Sequence, residues 1–176
     1  MGRMRKSVAA GLVVAGMLAA AGPAAWAEED EDEANPAGLA KVLPEASVSL
    51  EQGLKASERE GKPISGKYEV EDGALQLSVY TMKGNQFEEV IVDHKSGTVK
   101  KAEPITEGDD LKNAQAQSRA IAQAKLPLDQ AVEKAAKANG GFRAVRAIPS
   151  LKDGHPVADV TLMQGDNVKQ VSEKLD

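Results

Sequence analysis

Two histidines, His94 and His155, are the side chains of this sequence that offer a base or a metal ligand near neutral pH. Each lies in a predicted turn beside an aspartate, Asp93 or Asp153. Such histidines are usually exposed surface residues. The two could form a weak metal-binding or pH-sensitive pair if the halves of the chain pack with pseudo-symmetry. The chain has no cysteine, which excludes disulfides, thiolate zinc sites and cysteine nucleophiles.

No motif of a known catalytic centre accompanies the histidines. The sequence lacks a Gly-x-Ser-x-Gly elbow, a phosphate-binding loop and a His-Glu-x-x-His zinc motif. Its paired acids have structural explanations, because Glu88 and Glu89 lie on a predicted amphipathic strand. Asp109 and Asp110 lie at a predicted helix start, where acids complement the helix dipole. We therefore expect a protein that is not an enzyme, with no catalytic, cofactor-binding or metal-ligating residues and no cofactor.

The first 27 residues are typical of a secretory signal peptide. Residues 3–6 carry three basic side chains, and residues 8–22 form an apolar run that is shorter than the roughly 20 residues of a membrane-spanning helix. Ala25 and Ala27 supply the small-x-small pattern of a cleavage site. The sequence predicts cleavage after Ala27, a periplasmic or secreted protein, and no stable membrane insertion after cleavage.

Acidic residues are concentrated directly after this leader. The formal net charge of the chain is −5, and residues 28–33 are all Asp or Glu. Because like charges repel, residues 28–46 are predicted to form an acidic disordered tail. A cation-responsive or structural role of this tail in the cell envelope is the alternative function. An acidic chain without a basic stripe excludes nucleic acid as a partner.

A helix followed by antiparallel strands is predicted over residues 47–105. Ser49 and Gln52 have the spacing of a capping box, and the helix should continue to about Glu60. Alternating apolar residues then indicate three strands and a short fourth. Asp72–Gly73 is a strong two-residue hairpin turn between the first two strands.

The order of these elements recurs in the second half of the chain. Residues 106–126 are predicted to form a helical linker, and residues 127–176 repeat the pattern of residues 47–105 in a degenerate form. The Asp153–Gly154 turn corresponds to Asp72–Gly73. The predicted fold class is therefore α+β, with two repeats of a helix packed on a small antiparallel β-meander.

Residues 47–103 resemble the PepSY domain family. The resemblance depends on a Leu-Glu-Gln-Gly-Leu helix start at residues 50–54 and on a strand end with the pattern Val-Asp-x-x-x-Gly-x-Val, which contains Asp93 and Gly97. Residues 126–176 resemble the family more weakly, because they lack this Asp-x-x-x-Gly turn. The resemblance implies a helix on a small antiparallel sheet. It also implies an exported, non-catalytic module related to the inhibitory propeptides of thermolysin-like peptidases.

Asp93 and Gly97 have a structural interpretation that does not depend on the family. The carboxylate can accept main-chain N–H groups across a turn, and glycine can adopt the left-handed conformation that closes it. We interpret the two residues as a turn signature.

Binding is the function class that the sequence favours. A small meander leaves sheet edges and one face uncovered, and either can accept an extended peptide. Tyr68, Tyr80 and Phe87 are candidate partner contacts, although core packing also explains Phe87 and at least one tyrosine. We expect a binding module whose partner is a peptidase that it restrains or another envelope polypeptide.

Overall fold

The computed structural model describes residues 36–176. The predicted leader with its cleavage residues Ala25 and Ala27, and the acidic run of residues 28–33, lie outside the described residues. Residues 36–176 have an α+β fold with one seven-stranded antiparallel sheet and four helices. None of the helices in this range is long and apolar enough to cross a membrane.

The sheet is built from two consecutive groups of strands, with β1 and β5 adjacent near its centre. The strand order is β4-β3-β2-β1-β5-β6-β7, and all neighbours are antiparallel. In chain order the elements are α1 (Pro36–Val42), a 3-10 turn (Leu43–Glu45), α2 (Leu50–Ser57), β1 (Lys62–Glu71), β2 (Ala74–Lys83), β3 (Gln86–Val92), β4 (Val99–Ile105), α3 (Gly108–Gln123), α4 (Leu128–Ala138), β5 (Arg143–Lys152), β6 (His155–Gln164) and β7 (Asn167–Lys174).

The predicted capping box begins α2. The Ser49 side chain accepts the Gln52 N–H at 3.3 Å, and the Gln52 side chain accepts the Ser49 N–H at 2.8 Å. These bonds satisfy two N–H groups that a helix start otherwise leaves unpaired. The helix ends at Ser57, three residues before the predicted end, because residues 58–60 form a turn.

Both predicted Asp-Gly turns form tight hairpins. Asp72 and Gly73 have φ angles of 49° and 79°, and Asp153 and Gly154 have φ angles of 52° and 80°. Two consecutive positive φ angles define the turn whose twist suits a two-residue hairpin, and Asp-Gly tolerates them. Each turn therefore fixes the register of the strands on either side of it.

The two hairpins also share an irregularity. The β1–β2 register shifts between Pro63 and Ser65, and the β5–β6 register shifts between Ala144 and Arg146, 81 residues later. Asp72 and Asp153 have the same spacing. Gly66 and Ala147, also 81 residues apart, pair with each other where β1 meets β5. Equivalent positions of the two hairpins thus meet at the centre of the sheet.

Helices pack against both faces of the sheet. On one face α2 packs beside α4, and the space above Gly66 is filled by Leu54. On the other face α3 contacts β1, β5 and β6. The Tyr80 hydroxyl, which points to this second face, donates to Asp110 Oδ1 at 2.7 Å. Helix α3 thus covers part of the face that the sequence predicts to be uncovered, while Arg146, Ile148, Asp159 and Thr161 line an open depression on the rest of that face.

The core between these layers is mainly aliphatic, as the scarcity of aromatic residues predicts. Its largest fully buried side chains are those of Leu50, Leu54, Ile64, Leu77, Ile121, Leu162, Leu175, Val79, Val90, Val92, Val132 and Val160. The buried residues of α3 are Ala114, Gln117, Ala120 and Ile121.

The predicted disordered tail ends earlier than residue 46. Residues 36–45 form α1 and the 3-10 turn, and the side chains of Leu43 and Ala46 are buried. The Arg143 guanidinium donates to the main-chain oxygens of Leu43 at 3.4 Å and Ala46 at 2.9 Å. The prediction failed because this segment is ordered by residues about 100 positions further along the chain, which its local pattern does not reveal.

Candidate polypeptide-binding edge

Two strands of this sheet, β4 and β7, have a neighbouring strand on one side only. The main-chain N–H and C=O groups on the other side of such strands can pair with an added strand. An outer strand can therefore bind an extended polypeptide unless its own residues prevent this. The two outer strands differ in this respect.

Strand β4 has two features that hinder the addition of a strand. Pro104 has no N–H group, and proline inside a sheet is confined to positions that face away from the neighbouring strand. The register with β3 also shifts at Ile91. Each of these features protects sheet edges, and we call residues 99–105 the protected edge.

Strand β7 is longer and more regular. All eight of its residues pair with β6 without a register shift, and it contains neither proline nor glycine. The Leu175 N–H donates to a carbonyl of β6 at 2.9 Å. Odd-numbered residues therefore bond toward β6, and Val168, Ser172 and Lys174 direct their main-chain groups away from it. The Val168 side chain is 46% exposed. We call residues 167–174 the open edge.

Opposite charges lie four residues apart on the open edge. Lys169 and Glu173 share one face of β7 with Val171, because alternate residues of a strand point the same way. The Glu173 carboxylate is 2.7 Å from Lys134 Nζ, and the Lys169 ammonium donates to the Asn139 side chain. Both partners belong to α4 or its C-cap. The second half of the molecule therefore holds both charges of this edge in place.

Two of the three predicted aromatic contacts lie in the core. Tyr68 is 4% exposed and Phe87 is 8% exposed. The Tyr68 hydroxyl donates to the Val48 carbonyl, the Arg143 guanidinium lies 5.3 Å from the centre of its ring, and burial raises the pKa of the hydroxyl. Neither ring is available to a partner in this fold, so the predicted contact role does not hold for these two residues.

Tyr80 lies half-buried between the sheet and the start of α3. Burial and its hydrogen bond to Asp110 raise the pKa of the Tyr80 hydroxyl well above 10, and the nearby charges of Glu89 and Glu69 add to this effect. Burial also raises the pKa of the Glu89 carboxyl, with a further contribution from Glu69. The tyrosine anchors α3 to β2, and it keeps more exposed surface than the other two predicted contacts.

The carboxylates near Tyr80 line an open cleft of about 470 Å³. Glu89 lies on β3, Glu103 lies on β4, and Glu107 and Asp110 lie at the start of α3. Between residues 36 and 176, no three His, Asp or Glu side chains are arranged to hold a metal ion. The cleft is therefore an acidic surface without the geometry of a metal centre.

The loop from β3 to β4 contains the turn signature. Asp93 Oδ1 accepts the N–H groups of Lys95 and Ser96, both at 2.8 Å, and Gly97 has a φ angle of 76°. The Lys100 ammonium is 2.8 Å from Asp93 Oδ2. The hydrogen bonds from Lys100, Ser96 and Lys95 hold the pKa of the Asp93 carboxyl well below its usual range. Asp93 and Gly97 thus shape this turn.

The two histidines lie at opposite ends of the sheet. His94 follows the end of β3, and its carbonyl accepts the N–H groups of Ser47 and Val48. His155 begins β6, and its Nδ1 atom is 2.9 Å from Asp176 Oδ2. The strand registers place the end of β3 level with the end of β6, not with its beginning. The hypothesis of a histidine pair is therefore wrong.

Sequence reasoning missed Lys169 and Glu173. The sequence does show two opposite charges on the same face of a strand that lacks proline and glycine. It does not show that β7 is an outer strand, and without this the two charges cannot be recognised as part of a binding edge.

No protein-family model, curated protein or solved structure matches the chain.

Proposed function

We propose that this protein is an exported, non-catalytic binding module that takes up an extended segment of a polypeptide at its open edge. The observation that carries the proposal is the difference between the outer strands. Strand β7 offers a regular row of outward main-chain groups, whereas β4 carries Pro104 and a register shift. In strand addition, main-chain hydrogen bonds supply affinity and alternate side chains supply specificity.

The charges of the open edge define the chemistry of a suitable segment. An antiparallel segment matches the edge when it carries an acid opposite Lys169 and a base opposite Glu173. A peptidase that the module restrains is one partner with such a segment, and another envelope polypeptide is the second. The resemblance of residues 47–103 to PepSY domains supports the peptidase, since that family is related to inhibitory propeptides.

Export is the second element of this proposal. The signal-peptide pattern of residues 1–27 supports cleavage after Ala27 and a location in the periplasm or outside the cell. The partner would then be a protein of the same compartment.

Duplication of a PepSY-like unit is the third element. On this proposal residues 47–105 and 127–176 are repeats of a helix packed on a meander, the second in a degenerate form. The shared 81-residue spacing of the Asp-Gly turns and of the register shifts supports this origin.

A proline scan of the two outer strands tests the binding function. Ser172 directs its N–H away from β6, so Ser172→Pro removes an outward donor without breaking the β6–β7 ladder. Ala102, two residues from Pro104, provides the matched control Ala102→Pro on the protected edge. The ligands are eight-residue peptides selected from a displayed library against the protein purified from full-length expression, and affinity is measured by fluorescence anisotropy.

We expect Ser172→Pro to weaken the selected peptides at least about tenfold, and Ala102→Pro to leave their affinity unchanged. Circular dichroism verifies that both variants are folded. Failure to select any peptide, or equal losses in the two variants, would contradict binding at the open edge.

A further inference from the structure

We propose that a second copy of this chain occupies the open edge, so that two molecules join through antiparallel β7 strands into one fourteen-stranded sheet. The inference rests on the proposed function in one respect, which is that the open edge accepts a strand. It adds the identity of one occupant. It also adds a form of regulation, because an open edge that is paired with the open edge of a second copy cannot bind another polypeptide.

The main-chain geometry restricts how two β7 strands can pair. The even-numbered residues of β7 direct their main-chain groups outward, so they must lie opposite even-numbered residues of the second copy. In a two-fold symmetric antiparallel pair, this condition allows only registers in which the two-fold axis passes between the two copies of one residue. The central registers are those centred on Gln170, Val171 or Ser172.

The charges select one of these registers. With Val171 on the two-fold axis, Lys169 of each chain lies opposite Glu173 of the other, which gives two opposite-charge pairs. With Gln170 on the axis, Lys169 lies opposite Val171, and with Ser172 on the axis it lies opposite Leu175. The register centred on Val171 therefore provides charge complementarity that the other two lack.

The same register covers the exposed apolar side chain of the edge. Val168 lies opposite Lys174 of the second copy, so the methylene stem of the lysine can pack on the valine side chain, which is 46% exposed in the single chain. The pairing thus brings both charges and the exposed valine of the edge into contact with the second copy.

The size of this contact sets the expected affinity. One pair of eight-residue strands buries less surface than a permanent dimer interface requires, so association should be weak and concentration-dependent. We expect a dissociation constant in the tens to hundreds of micromolar. Self-association would then suppress polypeptide binding at high protein concentration and release the edge on dilution.

Charge reversal on the open edge tests this pairing. Lys169→Glu places like charges opposite each other at both ends of the symmetric contact, and Glu173→Lys does the same with the opposite sign. Sedimentation equilibrium of each purified protein, expressed from the full sequence, gives the dimer dissociation constant. We expect each variant alone to dimerise at least about tenfold more weakly than the parent chain.

Two rescue measurements make the test independent of folding defects. An equimolar mixture of the Lys169→Glu and Glu173→Lys variants restores both opposite-charge pairs in a mixed dimer, and the double variant restores them in a dimer of identical chains. Both should associate within about threefold of the parent chain. Lys101→Glu on the protected edge is the matched control and should not change association.

A parent chain that stays monomeric up to about 1 mM would overturn the proposal, as would reversals that leave dimerisation unchanged or a mixture without rescue. Dimerisation that survives Ser172→Pro would also overturn it, because another surface would then be responsible. These failures are distinguishable from failure of the proposed function, since the selected peptides can still bind a monomeric chain at the open edge.

Discussion

The two hairpins at the centre of the sheet are built alike, whereas the strands outside them differ. Hairpins β1–β2 and β5–β6 share a tight Asp-Gly turn, a register shift near the start and nine paired positions. Beyond β2 lie β3 and a protected edge. Beyond β6 lies β7 alone, with an open edge.

We therefore expect the central hairpins to determine the stability of the fold and the outer strands to determine binding. The similar hairpins and the helices packed on them bury the aliphatic core, so changes there should affect unfolding in both halves. The dissimilar outer strands bury little, and changes there should affect binding. Substitutions at equivalent positions of the two halves can therefore refine or refute the comparison.

The largest expected effect concerns the helices that precede the hairpins. Leu54 is the fifth residue of α2, Val132 is the fifth residue of α4, and both are fully buried. Leu54→Ala should lower the free energy of unfolding by about 2–5 kcal/mol, and Val132→Ala by about 1–3 kcal/mol, because the smaller side chain leaves a smaller cavity. Urea unfolding followed by circular dichroism measures both values. A negligible effect of Val132→Ala would show that the second half does not share the core equally.

A smaller effect is expected at the starts of β1 and β5, where Lys62 and Arg143 are the first residues. Arg143 donates to the carbonyls of three residues between 43 and 48, so Arg143→Met removes charge-assisted hydrogen bonds and should cost about 1.5–3 kcal/mol. Lys62 makes one 3.3 Å hydrogen bond to the Ile121 carbonyl, and Lys62→Met should cost less than about 1 kcal/mol.

Thermal unfolding measures both costs. Limited proteolysis adds a local readout, since Arg143→Met should speed cleavage within residues 36–48 and Lys62→Met should not. Equal costs and equal cleavage rates would refute this difference between the halves.

The smallest effect concerns charge on β3, where Glu89 stands 81 residues before Gln170 of β7. Because the pKa of Glu89 is raised above 4.5 in the fold, its ionisation at neutral pH favours unfolding. Glu89→Gln, which makes the first half resemble the second, should raise the melting temperature at pH 7 by about 1–2 °C. The gain should vanish near pH 3, where the carboxyl is protonated in both states. A gain that persists at pH 3 would exclude this electrostatic cause.

Turns and helix starts were predictable because their causes are local. Two consecutive positive φ angles favour Asp-Gly, and the spacing of Ser49 and Gln52 suffices for a capping box. The aliphatic core and the α+β class followed from alternating and helical apolar patterns. These features depend on residues only a few positions apart.

The layer order and the open edge could not be predicted, because their causes are distant. The side chain of Lys62 meets the end of α3 across 59 positions, and that of Arg143 reaches Ala46 across 97. Periodicity shows that a strand has an inner face, but it does not show which strand is outermost. The contact role of Tyr68 and Phe87 failed for the same reason, since a ring on a strand is buried or exposed according to what packs above it.

The junction of β1 and β5 has a mechanical consequence. Two registered pairs join these strands, compared with nine in each hairpin, and one of the pairs contains Gly66. The pairing at this junction is therefore the weakest in the sheet. Helix α3 packs across both strands on one face, and α2 and α4 pack together over the other face. Under load or in mild denaturant, we expect the pairing between β1 and β5 to open first, while the core that both halves share keeps the two hairpins together.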